Sequence, residues 1–577
     1  LSSNSSVHGH VLVVGYPGVG KSTLVEALKS NTWFRKQVKN VPPHTAGIIP
    51  HTFEDKRYGR VIYYDFAGDP HFNFSQAALM EQSAFSHCSS VLIVVDMSKP
   101  VTVDGILYWY QLVSSATKEC PSVIIVGSHA DLLPPLGRDS QKELSQICKD
   151  LSSVLKDEHP GSNFGTITHV SLDCRYTKSD DLQRLHQSIQ DCFNNDDVMR
   201  ISSAAVVLLQ ILSEVVKHSL ACTFSEVQQF MAQIGIKVST DDLLCWAKEL
   251  ELHGYVLVLW NKTSSDSWII TDVKQFMNTV HEKLFSEKAK PLRGPSSNLG
   301  LIPVSQLSVL FPDLPPSVLV SCFELLQYCF KIDDHNVLFE NLTKSTQEPS
   351  ERTEYLFFPS LLEGVRSEVK WIISGDGVCV LGWYLSCKGR CSYFPPRFVY
   401  VLLLKLAFEC SHPCPDDDHT PLEGRRRRCD VWKSGIHWLM ECGVEGFVEV
   451  VKESKGVMVV MRSKHQMECM KTLSLVFSKI CNVLKGLCHA SLSTTEYLLD
   501  PKELKTFSSL PEVDSLQLYL MSEVKRVLSE NEGKMIISES GNGCMETSDI
   551  RFLLQYPLQG KSEKGDGHGL SFVLYPH

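Results

Sequence analysis

What the chain lacks sets its first bounds. No apolar run approaches the ~18–20 residues of a membrane-spanning helix; VYVLLLKLAF at 399–408 is about ten long. Positive charge is not in excess: the formal net charge is −10. That argues against a general nucleic-acid or anionic-membrane surface, because phosphate binding needs concentrated Lys and Arg. No signal-peptide pattern opens the chain, and it starts with Leu1 rather than Met, which reads as a portion of something longer. A kinase glycine loop, an H-R-D and a D-F-G are all missing. So is disulfide-framework spacing. The 20 cysteines are scattered, and several, such as Cys245, Cys322 and Cys329, lie inside apolar helical patterns. Free cysteine behaves there as a small buried hydrophobe, and a reduced, cytoplasmic protein is expected.

The rest is ordinary soluble composition, 43% apolar and 21% charged over 577 residues. At ~100–200 residues each, that length holds roughly three or four domains.

GYPGVGKST, residues 15–23, follows a run of β-formers, HVLVVG (10–15), and leads into KSTLVEALKS, where Leu24, Ala27 and Leu28 share a helical face. Strand, glycine loop and helix are the context that turns G-x-x-x-x-G-K-[ST] from a glycine-rich turn into a phosphate loop. Gly15, Pro17, Gly18, Val19 and Gly20 form the loop; its amides face phosphate oxygens and the helix N-terminus adds positive potential. Lys21 would reach the β and γ phosphates, the Ser22 hydroxyl would ligate Mg²⁺, and Thr23 completes the motif.

RVIYYDFAGDP (60–70) reads as a strand ending in Asp65-x-x-Gly68. Asp65 can hold the Mg²⁺ shell through water, and Gly68 lets a backbone N–H approach the γ-phosphate with no Cβ in the way. Upstream, PPHTAGIIP (42–50) puts Thr45 in a loop where its hydroxyl can complete the Mg²⁺ coordination. Alone, Thr45 is a loop threonine like any other; between these two motifs the metal role prevails.

SVIIVGSHADLL (122–133) decides the base. A buried strand delivers Ser128, His129 and Asp131 to its carboxyl end, where nucleotides bind in such sheets. Guanine offers N1–H and N2–H₂ side by side to a carboxylate, whereas adenine presents an acceptor at N1. Hydrogen bonds to a charged group contribute roughly 1.5–3 kcal/mol each, so two imply about 10²- to 10⁴-fold discrimination. His129 can cover the base and Ser128 can bond the loop. In THVSLDCRYTKSDDLQRLHQSI (168–189), Ser171, Leu172 and Asp173 stand where backbone amides touch ribose and base. Six strand candidates alternate with helices through residue 193, giving a doubly wound, Ras-like α/β domain with a mostly parallel six-stranded sheet and GTP or GDP with Mg²⁺ as its ligands.

SHAD in place of N-K-x-D, DFAG, and the TAGI segment together resemble a Roc domain, the Ras-like GTPase of Roco proteins. The resemblance implies a COR domain next. VQQFMAQIGIKVSTDDLLCWAKELELHGYVLVLW and SWIITDVKQFMNTV are similar to its winged-helix part, and LSVLFPDLPPSVLVSCFELLQYCFKI to the second half of that part. GWYLSCKGRCSYFPPRFVYVLLLKLAF, with Pro395 and Pro396 before a long apolar helix, resembles the start of COR-B, the second, α+β half of the domain. The tail TEYLLDPKEL, and the absence of a long inserted switch, resemble the death-associated protein kinase branch. The expected organisation is Roc over 8–197, COR-A over 200–360, COR-B over 361–510 and an extension of unknown role over 511–577. The resemblance further implies a homodimer through COR, with dimer and nucleotide states coupled, and protein effectors the sequence does not name.

One departure bears on catalysis. Small GTPases carry a water-orienting glutamine directly after D-x-x-G; here Asp69 stands there, followed by Pro70. A carboxylate polarises water but also repels the γ-phosphate. With no glutamine and no evident arginine finger, whose absence typically costs about 10³- to 10⁵-fold, slow hydrolysis by Lys21, Thr45, Gly68 and Asp69 is expected. His71 is a substitute water-orienter or a solvent-facing loop histidine.

Three other features carry less. The helix STDDLLCWAKELELHG is acidic, so its winged-helix setting predicts packing rather than DNA contact. Arg425 to Arg428 follow Asp416 to Asp418 and read as a self-compensating loop insertion. Cys387, Cys391, Cys410, His412 and Cys414 have spacing that zinc tolerates, yet Cys410 ends an apolar helix and the resemblance calls for no metal. Two rivals remain: a nucleotide-binding scaffold that hydrolyses nothing, and a signal-transducing P-loop ATPase with a winged helix, of the NACHT or NB-ARC kind. The second relies on an acidic pair after a hydrophobic strand, and VLIVVDM supplies only Asp96.

Overall fold

The computed structural model describes residues 6–29, 38, 45, 47–55, 59–82, 88–114, 122–132, 140–158, 166–176, 179–193, 199–215, 220–260, 267–312, 314–332, 354–364, 366, 370–388, 393–411, 428–440, 442–451, 455–487, 494–509, 512–529, 535–541 and 543–546. The chain forms two compact units, Leu1–Ser297 with Ile302–Cys329, and Asn298–Leu301 with Phe330–His577. The sequence-based division at 360/361 falls inside the second unit. The reason is packing: Phe330 and Phe357, from an antiparallel strand pair upstream of that division, belong to the second unit's core. Among the described residues, no helix is long and apolar enough to cross a membrane.

The first unit opens with alternating strands and helices: β1 (Ser6–Val14), α1 (Lys21–Lys29), β2 (Ile48–Asp55), β3 (Gly59–Phe66), α2 (Asn73–Gln82), β4 (Ser90–Asp96), α3 (Val103–Ser114), β5 (Ser122–Ser128), α4 (Ser140–Glu158), β6 (Ile167–Ser171) and α5 (Asp180–Asp191). Their sheet order is β2-β3-β1-β4-β5-β6. The β2–β3 pair is antiparallel, and β3–β1, β1–β4, β4–β5 and β5–β6 are parallel. A short β7 (Met199–Arg200) pairs antiparallel with the start of β1. Val11 to Val14 are fully buried, because helices cover both faces of a parallel sheet; this is why such strands read as unbroken apolar runs. The strand order reverses beside β1, so the carboxyl ends of β1, β4 and β5 open a crevice there.

The same unit continues with α6 (Ser203–Val215), β8 (Ala221–Thr223), α7 (Phe224–Gln233), α8 (Thr240–Leu252), β9 (Leu257–Leu259) and β10 (Trp268–Ile270). The three strands form an antiparallel sheet in the order β8-β10-β9 over a shared apolar core. Thr223 and Glu226 form a reciprocal capping box at the start of α7, and Ser239 caps α8. Cys245 departs from expectation: it is exposed. Its helix buries Leu243, Ala247, Leu250 and Glu251, a stripe that residue 245 does not share at 3.6 residues per turn. Beyond lies α9 (Val273–Phe276), a π-helical turn (Met277–His281) and α10 (Glu282–Phe285), then a 3₁₀ segment, Glu287–Leu292.

In the second unit, Cys379–Cys387, Arg428–Trp432, Gly435–Leu439, Val444–Val451, Gly456–Ser463, Thr494–Leu499 and Leu518–Leu520 form one antiparallel sheet. Residues alternate between its faces: Leu381, Trp383 and Leu385 join one core, Val380 and Tyr384 the other. The helices Pro396–Ser411 and Gln466–Leu487 supply the first of these cores. Leu518–Leu520 and the helix Met521–Ser529 extend the same sheet and core past residue 510, so the described part of the expected extension is structurally one with the domain before it. Cys387 is buried and Cys410 half-buried; Cys391, His412, Cys414, Asp416 to Asp418 and Arg425 to Arg427 lie outside the described residues. Arg428 opens a strand and pairs with Asp430 at 2.6 Å.

Candidate nucleotide site

β1 delivers the chain to Gly15, whose φ is +145° and where a Cβ would lie 2.3 Å from the Val94 carbonyl oxygen on β4. Only glycine lets the backbone turn there. The loop then passes exposed Pro17 and Gly18, buried Val19, and Gly20 into α1, with half-buried Thr23 in its first turn. Lys21 is buried and its Nζ donates to the carbonyl oxygens of Gly15 (2.8 Å) and Tyr16 (2.9 Å). Burial, against the attraction of Asp65, pulls the Lys21 ammonium down to about 8.

Three oxygens meet beside it. Ser22 Oγ donates to Asp65 Oδ2 at 2.6 Å, Thr45 Oγ1 to the same oxygen at 3.0 Å, and the two hydroxyls are 3.0 Å apart. Burial raises the Asp65 carboxyl above its ordinary range, against the Ser22 bond and the Lys21 charge. Asp65 Oδ1 is buried with no hydrogen-bond partner among the described residues. Convergent hard oxygens with one acceptor unsatisfied fit Mg²⁺. Ser22, Thr45 and Asp65 would hold it, and the ion would supply neutralising charge for phosphate oxygens.

Gly68 presses on the loop: a Cβ there would lie 2.5 Å from Tyr16 C and 2.6 Å from both Pro17 N and Lys21 Nζ. Asp69 Oδ1 instead accepts from the His71 amide (3.0 Å) and faces His71 Nδ1 (2.8 Å). The fully buried Gln76 ties both flanks together, its Nε2 donating to Ala67 O (2.8 Å) and Gly47 O (3.1 Å).

At the carboxyl end of β5, Ser128 Oγ lies 2.7 Å from Val19 O and 3.0 Å from Val95 O, locking the strand end to the phosphate loop. His129 takes a left-handed φ of 53°, with Nδ1 3.2 Å from Asp96 Oδ1. Asp96 is itself held down to about 2: burial works against this, but bonds from Ser98 and Lys99 and the nearby His129 prevail. Asp131 sits on the 3₁₀ turn Ala130–Leu132, and its Oδ2 is 2.7 Å from Arg175 Nη2, which also bonds Asp173 at 2.8 Å. Ser171 and Leu172 are buried at the end of β6. The Leu172 amide already donates to Gly127 O at 2.8 Å, so it is engaged in the sheet rather than turned to a ligand.

The structure therefore brings Lys21, Ser22, Thr45, Asp65 and Gly68 into one cluster and joins Ser128 to the same loop. Sequence reasoning missed Tyr16, Gln76 and Arg175. Tyr16, inside the loop, stacks at 6.5 Å on Tyr108 and edge-on against Trp109 of α3. It also missed the neighbours behind the site: Gly47 faces His281 and Met277, and the Tyr328 hydroxyl lies 3.3 Å from Ser75 O and 3.1 Å from His281 Nε2. None of these forms a spacing pattern.

No curated protein matches the chain. A family model described as a 50S ribosome-binding GTPase matches residues 10–126. Over that segment, with its phosphate loop, convergent oxygens and mostly parallel sheet, the chain is similar to P-loop GTPase domains, which bind GTP.

Proposed function

We propose that the chain is a GTP-binding switch of the Roc–COR kind, with slow Mg²⁺-dependent hydrolysis and a nucleotide state coupled to COR-mediated dimerisation in intracellular signalling. The observation that carries the reading is the meeting of Ser22, Thr45 and Asp65, from three separate segments, within 2.6–3.0 Å of one another beside the phosphate loop. Switching needs segments that touch the γ-phosphate and something else at once. Gly47 and α2 have that second contact, in His281, Tyr328 and the ring of Phe285 beside Phe74. A ligand that moves Thr45 or Gly68 then changes the packing around His281, Phe285 and Tyr328, and coupling of this kind is reciprocal.

Calorimetric titration with GTP, GDP and ATP in Mg²⁺ tests the core of the reading. GTP and GDP should bind and ATP should be weaker by at least about 10²-fold, the worth of two hydrogen bonds to a carboxylate. Lys21→Ala should abolish binding. Asp131→Asn should lose GTP and gain XTP, because an amide donates to the 2-oxo group of xanthine; unchanged GTP affinity refutes the assigned role. Turnover should stay below ~0.1 per minute. Light-scattering profiles that match in GDP and a GTP analogue would remove the coupling to dimerisation. The non-hydrolysing scaffold is the second reading, favoured by Asp69 at the water-orienting position, and zero turnover with intact binding selects it.

A further inference from the structure

The His71 ring is held at both ends. Its Nδ1 lies 2.8 Å from Asp69 Oδ1 and its Nε2 lies 3.0 Å from Glu287 Oε1. Ionised carboxylates only accept, so the ring donates to both when it is protonated, and to one of them when a single N–H is present. Glu287 comes from far along the chain, at the start of the 3₁₀ segment Glu287–Leu292. That segment is fixed from both directions. Ser286 Oγ caps it through Lys288 N at 3.2 Å, and Gln306 Nε2 donates to Leu292 O at 2.7 Å. Just upstream, Phe285 packs against Phe74 of α2 and Tyr328. Asp69 directly follows Gly68, which lies against Lys21 and the phosphate loop.

We propose that Glu287 is a positioning residue for GTP hydrolysis: through His71 it fixes where the Asp69 carboxylate points. The inference rests on the reading of this chain as a hydrolysing GTPase. An aspartate after D-x-x-G repels the γ-phosphate unless its charge is offset and its oxygens are aimed. The His71 amide and ring together aim Oδ1, the ring when protonated also offsets the charge, and a second carboxylate behind the ring keeps it in place, as a third group orients the base in catalytic triads. Glu287 thus supplies from outside the GTPase domain the ordering that a glutamine side chain supplies from within it. All three side chains are about half exposed, 50–58%, so the contact adds little to stability and acts through orientation.

The test is steady-state hydrolysis by the full chain, comparing wild type, Glu287→Ala, Glu287→Gln, His71→Ala and His71→Ala/Glu287→Ala. Glu287→Ala should lower kcat about two- to fivefold, the scale of an exposed ion pair, with KM for GTP and Tm unchanged. Glu287→Gln, whose amide oxygen still accepts from Nε2, should restore most of the rate. In the His71→Ala background, Glu287→Ala should cost nothing further, the non-additivity expected of residues acting in series. Wild-type kcat in Glu287→Ala, or an equal loss in both backgrounds, overturns the proposal while the GTPase reading stands. A wild type that binds GTP without turnover overturns both this and hydrolysis; absence of GTP binding overturns the reading itself.

Discussion

Gly68 and Arg175 show how single residues set the limits of the site. A side chain at 68 would collide with loop backbone at 2.5–2.6 Å, which cannot yield as a flexible side chain would. Overpacking of that kind costs about 1–3 kcal/mol. Gly68→Ala is therefore expected to slow GTP turnover by about tenfold or more, read in single-turnover assays, with Thr45 and Ser22 still in place. Arg175 occupies one oxygen of the carboxylate assigned to guanine, at 2.7 Å. Arg175→Ala leaves Asp131 unopposed and should tighten GTP binding by up to about fivefold, since an exposed pair contributes at most about 1 kcal/mol. Calorimetry that instead finds weaker binding would make the guanidinium part of the nucleotide site.

Among the elements, the helix running from Val273 through its π-turn to Phe285 packs against Gly47 and α2 beside the candidate site. It puts His281, fully buried, against Gly47. The Nε2 side meets Tyr328, and Nδ1 has no partner among the described residues, the arrangement of a neutral ring. Burial holds its basicity down to about 3. The unfolded chain binds a proton near 6.5 that the fold refuses, so the stability tied to this ring is intact above 6.5 and drains away between there and 3. From pH 7 to 5 the first unit should lose about 2 kcal/mol through this group alone. Chemical denaturation at the two pH values checks it: His281→Gln should remove most of that difference. An unchanged pH dependence would show that other groups govern it.

For the molecule as a whole, the second unit depends on its last described segment. Tyr519, Met521, Val524, Val527, Leu528, Ile536 and Met545 all lie in its core. At about 1.5–3 kcal/mol for each buried side chain, these contribute on the order of 10 kcal/mol, comparable to the whole net stability of a domain. A chain cut after residue 509 should therefore lose the calorimetric transition of the second unit while GTP affinity persists. Survival of that transition would show that the sheet from Cys379 to Leu499 closes its core unaided.

Local chemistry made the pieces of the candidate nucleotide site largely legible in advance. A glycine loop between strand and helix, an aspartate and glycine three apart after a buried strand, and a carboxylate at another strand end each need only a few neighbouring residues. Their spacing is therefore written directly in the chain, as are the apolar strands that a doubly covered sheet demands. The ties between those pieces and their surroundings were not legible. His281 against Gly47, Tyr328 against Ser75, Arg175 across Asp131 and Glu287 behind His71 join residues with no shared period or motif, and folding alone brings them within reach. The same holds for the second unit, where residues beyond 510 carry no pattern of their own yet pair with Thr494–Leu499 and fill its core. Which atoms are suited to grip a nucleotide is written in short local stretches; what those atoms lean on is set only by the fold, because long-range packing depends on complementary surfaces that no short stretch encodes.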